Sequence, residues 1–194
     1  MIAATLSFLR RHLDEYLRLA MESNPAEPGA DRVVFVDGDQ MDPIKFKIGA
    51  VTALLVNIEE ERVLRGADPY LRRGDDGQPM RVQPDIRLIL HLTLVARFKQ
   101  YEVAWATLSR IIEHLQSVRV FDAQDTPGLP PGVERLQLEF ATLTVPEQNG
   151  IWSALRAPMH PAIHYRIKLL TFRDGSGSEA PTITSVEPSV KRSS

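Results

Sequence analysis

The sequence predicts an α+β fold, with a mostly antiparallel sheet of about five strands and helices packed on one of its faces. Three observations carry this. Several runs alternate apolar and polar residues with the period of a strand, and three others repeat apolar residues at helical spacing. The strand runs follow one another without the regular helical crossovers that a parallel sheet needs.

The first helix spans residues 1–24, with Leu6, Leu9, Leu13, Tyr16, Leu17 and Ala20 on one face. Pro25, Pro28 and Gly29 cannot continue it. Arg10 and Arg11 follow the brief apolar opening instead of preceding it, so this is an amphipathic helix with a basic solvent face and not a secretory peptide. Residues 32–37 (RVVFVD) form a short strand, closed by the turn-rich GDQMDP, in which Asp37, Asp39 and Asp42 cap turns. Residues 45–59 give a long strand in which Gly49 marks a bulge. Residues 66–84 are loop, with Asp75, Asp76 and Gly77 as a hairpin-type turn.

A second long strand spans 85–98, where Ile86, Leu88, Leu90, Leu92 and Leu94 share a face. Its other face, from Arg87 to Val95, is mixed. The best helix covers 99–119, with Tyr101, Ala104, Trp105, Leu108, Ile111, Ile112 and Leu115 in one stripe. The DTPGLPPG loop delivers a strand over 133–144, then a short helix over 148–156. Pro158 and Pro161 punctuate the turn to the last strand, whose face holds Ile163, Tyr165, Ile167 and Leu169. From Asp174 onward the chain is rich in Ser, Gly and Pro without apolar periodicity, which reads as a flexible tail. The expected organisation is one domain over 1–173 and a tail over 174–194.

Bulk composition excludes several classes. With 43% hydrophobic and 25% charged residues, the chain can fill a core. A net charge of −2 gives no broad attraction to nucleic acid or anionic lipid. No cysteine is present, so disulfides and thiolate chemistry are absent. No apolar run approaches the ~20 residues of a spanning helix. The reducing cytoplasm fits as the place of assembly.

No catalytic pattern emerges. His12, His91, His114, His160 and His164 include no HExxH-type pair, and Pro161 breaks the one i, i+4 spacing. Nucleophile-elbow, Walker and dinucleotide fingerprints are missing. The expectation is therefore no enzyme, no metal and no cofactor. Glu59, Glu60 and Glu61 with Arg62 and Arg65 read either as a solvated strand end or as a charged rim that fixes register between subunits, joined by Arg72 and Arg73. Trp152 is either core or an interface anchor. Ile183 and Val186, between Thr182 and Thr184, are β-prone and read either as a disordered end or as an added strand.

The run Ile151-Trp-x-Ala-Leu-x-x-Pro-x-x-Pro-x-x-x-Tyr165-x-Ile167 precedes an apolar strand, and VTALLVNIEEERVLR (51–65) and LILHLTLVARFKQYEVAWATLSRIIEHLQS (88–117) come before it in order. Together these segments resemble the N-terminal domain family of the tail terminator, or cap, protein of contractile injection systems. The resemblance covers most of residues 1–173. It implies a compact fold similar to phage tail terminators, and a structural subunit of a six-fold homo-oligomeric ring that closes the distal end of tube and sheath. The implied partners are other copies of the chain and the last layer of tube and sheath proteins, with no nucleic acid and no membrane insertion, in a particle that is released or membrane-docked. A phage tail-completion protein, or an enzyme or ligand carrier gathering His91 with carboxylates in a deep pocket, remain the alternatives.

Overall fold

The computed structural model describes residues 1–21, 31–38, 43–61, 71–73, 79–81, 87–170 and 178–179, and for 71–73, 79–81, 170 and 178–179 the backbone alone. In chain order the elements are α1 (Ile2–Ala20), β1 (Val33–Val34), β2 (Ala50–Glu60), β3 (Leu71–Arg73), β4 (Pro79–Arg81) and β5 (Leu88–Arg97). They continue with α2 (Tyr101–Ser117), β6 (Val120–Asp122), β7 (Arg135–Ala141), α3 (Val145–Ala154), β8 (Ala162–Leu170) and β9 (Ser178–Glu179). Chain contacts divide them into two units, Met1–Glu61 with Ile86–Phe172, and Arg62–Asp85 with Arg173–Ser194.

The first unit is built on a six-stranded sheet in the order β1-β2-β5-β8-β7-β6. All neighbours are antiparallel except β1, which runs parallel to β2 through Val33–Val51 and Val34–Thr52. The α+β class and the mostly antiparallel sheet therefore hold. Alternation sets the two faces. Leu90, Leu92, Leu94, Ile163, Tyr165, Ile167, Leu136 and Leu138 pack beneath Phe8, Leu9, Leu13 and Leu17 of α1 and Leu108, Ile111 and Leu115 of α2.

Helices on one face only was the expectation, and here the structure differs. Val95 points to the opposite face and packs with Ile44, Phe46 and Trp152, the last on α3. The mixed second face of β5 is the physical reason: a strand flanked by Thr93, Val95 and Ile89 needs cover on both sides. α3 is fixed there by its start. Thr144 and Glu147 form a capping box, with the Glu147 carboxylate accepting from the Thr144 N–H at 2.7 Å.

Other differences are local. The strand expected from residue 45 begins at Ala50, because Ile44 and Phe46 leave the strand line to fill the second core. Gly49, with φ 83, makes the turn into β2 and donates to the Arg97 carbonyl at 2.7 Å; the bulge lies between Leu55 and Asn57 instead. The predicted strand at 32–37 is reduced to two residues at the sheet edge. The helix expected to 119 stops at Ser117, and Val120–Asp122 forms a three-residue strand too short for any pattern to announce. Trp105 and Tyr101, expected in the buried stripe of α2, are 44% and 62% exposed and meet each other edge-on.

The second unit is a three-stranded sheet in the order β3-β4-β9. Arg72 pairs with Met80 and Met80 with Glu179, both antiparallel. Residues 66–84, read as loop, thus contain two short strands. The turn expected at Asp75–Gly77 falls between them but lies outside the described residues, as do Asp39 and Asp42.

Candidate assembly interface

The acidic run closes β2, whose last four residues are exposed. Past the bulge, Asn57 Oδ1 accepts from the Ile58 N–H at 2.9 Å and its Nδ2 donates to Glu59 Oε1 at 3.2 Å. Glu59 Oε1 also lies 3.2 Å from His91 Nε2, an ion-pair distance without hydrogen-bonding alignment. Glu61 is tied through its backbone N–H to the Arg87 carbonyl at 2.8 Å. Register then places Asn57, His91, Arg166 and Glu139 in one row across β2, β5, β8 and β7. Glu139 pairs with Lys168 at 2.7 Å, while the Arg166 Nε is buried with no acceptor among the described residues. The rim is thus a mixed-charge surface and not a purely acidic one.

Two features beside it escaped the sequence reading. Among the described residues, the outer edge of β2 has a partner strand only at Val51 and Thr52, and none from Ala53 to Glu59. A groove of about 870 Å³ runs between β2 and α3, lined chiefly by Ile44, Leu54, Val56, Ile151, Ala154 and Leu155, with Asn57, His91, Glu147 and Arg156 at its polar margin. No local pattern could announce either: the groove arises where β2 and α3, far apart in sequence, meet, and the edge is uncovered because β1 stops after two residues. Besides Glu59, which reaches His91 at 3.2 Å from the strand end, the described lining of the groove adds one carboxylate, Glu147. Hydrogen bonds from Thr144 hold that carboxyl below its ordinary range and commit it to capping α3. Among the described residues, no group of three or more His, Asp or Glu could hold a metal ion, and no helix is long and apolar enough to cross a membrane.

The other sequence candidates fall as follows. Trp152 is 6% exposed, edge-on to Phe46 at 6.0 Å and to His160 at 6.2 Å, which makes it a core residue of the protomer. His164 Nδ1 lies 2.9 Å from Thr93 Oγ1, and burial pushes its pKa down. Arg72 and Arg73 lie on β3 of the second unit, whereas Glu59, Glu60 and Glu61 belong to the first. Arg62, Arg65, Ile183 and Val186 lie outside the described residues.

The first unit is an α+β domain with a six-stranded mixed sheet, helices on both faces and a charged end to β2. The chain belongs to the Pvc16 N-terminal domain family, whose model matches residues 4–185. Among solved structures it is similar to the PVC sheath/tube terminator of an extracellular contractile injection system in its extended state. That match has 15% identity, a TM-score of 0.50, and coverage of 94% of this chain and 63% of the other. It is likewise similar to the tube terminating cap of the anti-feeding prophage, at 12% identity, TM-score 0.50, and 94% and 60% coverage. The shared fold is what such identities establish, and the chain spans about three fifths of the length of both terminators. No curated protein matches the chain.

Proposed function

We propose that the chain is a structural subunit of the cap that closes the distal, non-baseplate end of the tube and sheath of a contractile injection system. The single observation that carries this reading is membership of the Pvc16 N-terminal domain family, supported by a fold like that of two solved terminators. The work of such a subunit is mechanical. A stacking tube is an open head-to-tail assembly, and something must bind its last face without presenting that face again. A ring does so because its contacts close on themselves.

In this reading six copies form the ring, residues 1–173 make the terminator domain, and residues 174–194 act as an arm. Glu59, Glu60 and Glu61 of one copy face Arg62, Arg65, Arg72 and Arg73 of the next, which sets register more than affinity. Ile183 and Val186 of a neighbouring arm add to the edge of β2 from Ala53 to Glu59, which no described strand covers. The chain performs no bond-making chemistry and takes no cofactor. It assembles in the cytoplasm before the particle is released or docked.

Multi-angle light scattering of the purified chain tests the ring, before and after removal of residues 174–194. Six copies in the first case and fewer in the second support it. A monomer in both cases, at concentrations where tube and sheath assemble, defeats it.

A further inference from the structure

α1 and α2 meet through a pair of histidines. His12 Nε2 lies 2.9 Å from His114 Nε2. Tyr16 stacks on His114 with centroids 3.9 Å apart, and Phe121 meets His12 edge-on at 4.8 Å. Phe8 stacks on His12 at 6.1 Å. A hydrogen bond between imidazole nitrogens needs one to carry the proton and the other to offer a lone pair. Zero or one added proton leaves that bond possible. A second sets two N–H groups and two like charges against each other within an aromatic seam.

What the seam holds extends beyond the helices. Asp14, two residues after His12 on α1, accepts at Oδ1 from the Arg32 N–H at 2.6 Å and the Val33 N–H at 2.9 Å. Those two bonds tie β1 to α1, and β1 is the strand that covers Val51 and Thr52 at the edge of β2.

We propose that the His12–His114 contact is a proton-sensitive clasp: when both rings are charged, α1 loosens from α2, β1 comes away with it, and the edge of β2 opens along its whole length. Charged groups face the pair from three elements. Glu15 on α1 favours the cations, as does Asp125 of the turn after β6, which lines the same 470 Å³ cavity as His12. Arg11 on α1 opposes them from that cavity. Arg110, four residues before His114 on α2, opposes them too, but its guanidinium is engaged by the Ala20 carbonyl. Burial dominates: it lowers both histidines, His114 further through its neighbour His12. A histidine depressed in the folded state is the better base once unfolded. Its contribution to stability is complete above the ordinary value of 6.5 and is lost as pH falls below it.

The test compares the full chain with H12F/H114F and with H12Q/H114Q, which cannot titrate at these positions. The glutamine pair serves if the phenylalanine pair fails to fold. Between about pH 7.5 and about pH 5.5 the melting temperature of the wild type should fall by about 3 °C more than that of the variants. His160 and His164 remain in every protein, so their titration cancels. Hydrogen exchange supplies the specific readout. The Val51 amide donates to the Arg32 carbonyl at 2.8 Å across the β1–β2 edge. After correction for intrinsic rate, its protection should drop at the lower pH in the wild type alone. Equal pH responses in wild type and variants, or Val51 protection independent of pH, would overturn the proposal.

Discussion

Trp152 meets Phe46 edge to face with ring centroids 6.0 Å apart, and this contact seals the second face of the sheet. Removing the indole leaves a cavity over Val95 that the short helix α3 cannot collapse to fill. Trp152→Ala is expected to cost about 3–5 kcal/mol, read as a lower denaturant midpoint with an unchanged slope. Fluorescence separates the two tryptophans: acrylamide should quench Trp105 and leave Trp152 largely untouched in the native state.

Asp14 is buried with its carboxylate shared between two backbone N–H groups and Arg18, whose Nε lies 2.8 Å away. Asp14→Ala strands the Val33 N–H inside the protein. A loss of about 3 kcal/mol is expected, because hydrogen bonds to a buried charge are among the costly ones to break. Exchange protection should fall at β1 first, and equal loss across β5 and β8 would argue against this specific tie.

Tyr165 is packed edge-on to Phe140 at 5.5 Å with its hydroxyl buried and no partner among the described residues. Burial pushes its pKa up to about 12. The raised value means that the folded state favours the neutral phenol. That contribution is present below the ordinary value of 10 and disappears as pH rises through about 12. Tyr165→Phe should therefore cost nothing near neutrality and should unfold at higher pH than the wild type in an alkaline titration. A clear loss of stability at neutral pH would reveal a hydrogen bond for the hydroxyl.

Replacing Glu59, Glu60 and Glu61 together by Lys alters exposed or half-exposed side chains at the end of β2. Circular dichroism and melting temperature should stay close to wild type, since surface pairs contribute little to stability. Ring mass by light scattering should fall, because like charges across an interface repel. Unchanged mass would remove the rim from the interface.

The sequence made the sheet legible wherever one face was apolar and the other polar. β7 falls within three residues of its expected limits, and β8 buries the expected face of Ile163, Tyr165, Ile167 and Leu169. Elements whose existence depends on a partner were not legible. β6 is three residues long and pairs only because Leu136 and Phe121 meet in the core. β3 and β4 sit among charged and turn residues that carry no apolar period. Gly49 was read correctly as punctuation but given the wrong kind, since bulge and turn both ask for φ > 0 and only the Arg97 carbonyl decides. Trp105 was placed in the core by spacing alone. The buried face of α2 runs through Ala104, Thr107, Leu108, Ile111 and Leu115, which leaves Tyr101 and Trp105 at its margin in solvent. Of the candidate site, the acidic strand end was visible in one dimension, whereas the open edge of β2 and the groove beside α3 exist only once β1 is seen to be short.

The most direct measurement mixes the purified chain with separately purified tube and sheath filaments and images the ends by negative-stain electron microscopy. The account predicts density of ring diameter on one end of each filament, and filaments that stop lengthening once it is present. Bare ends with continued growth at saturating protein would contradict it.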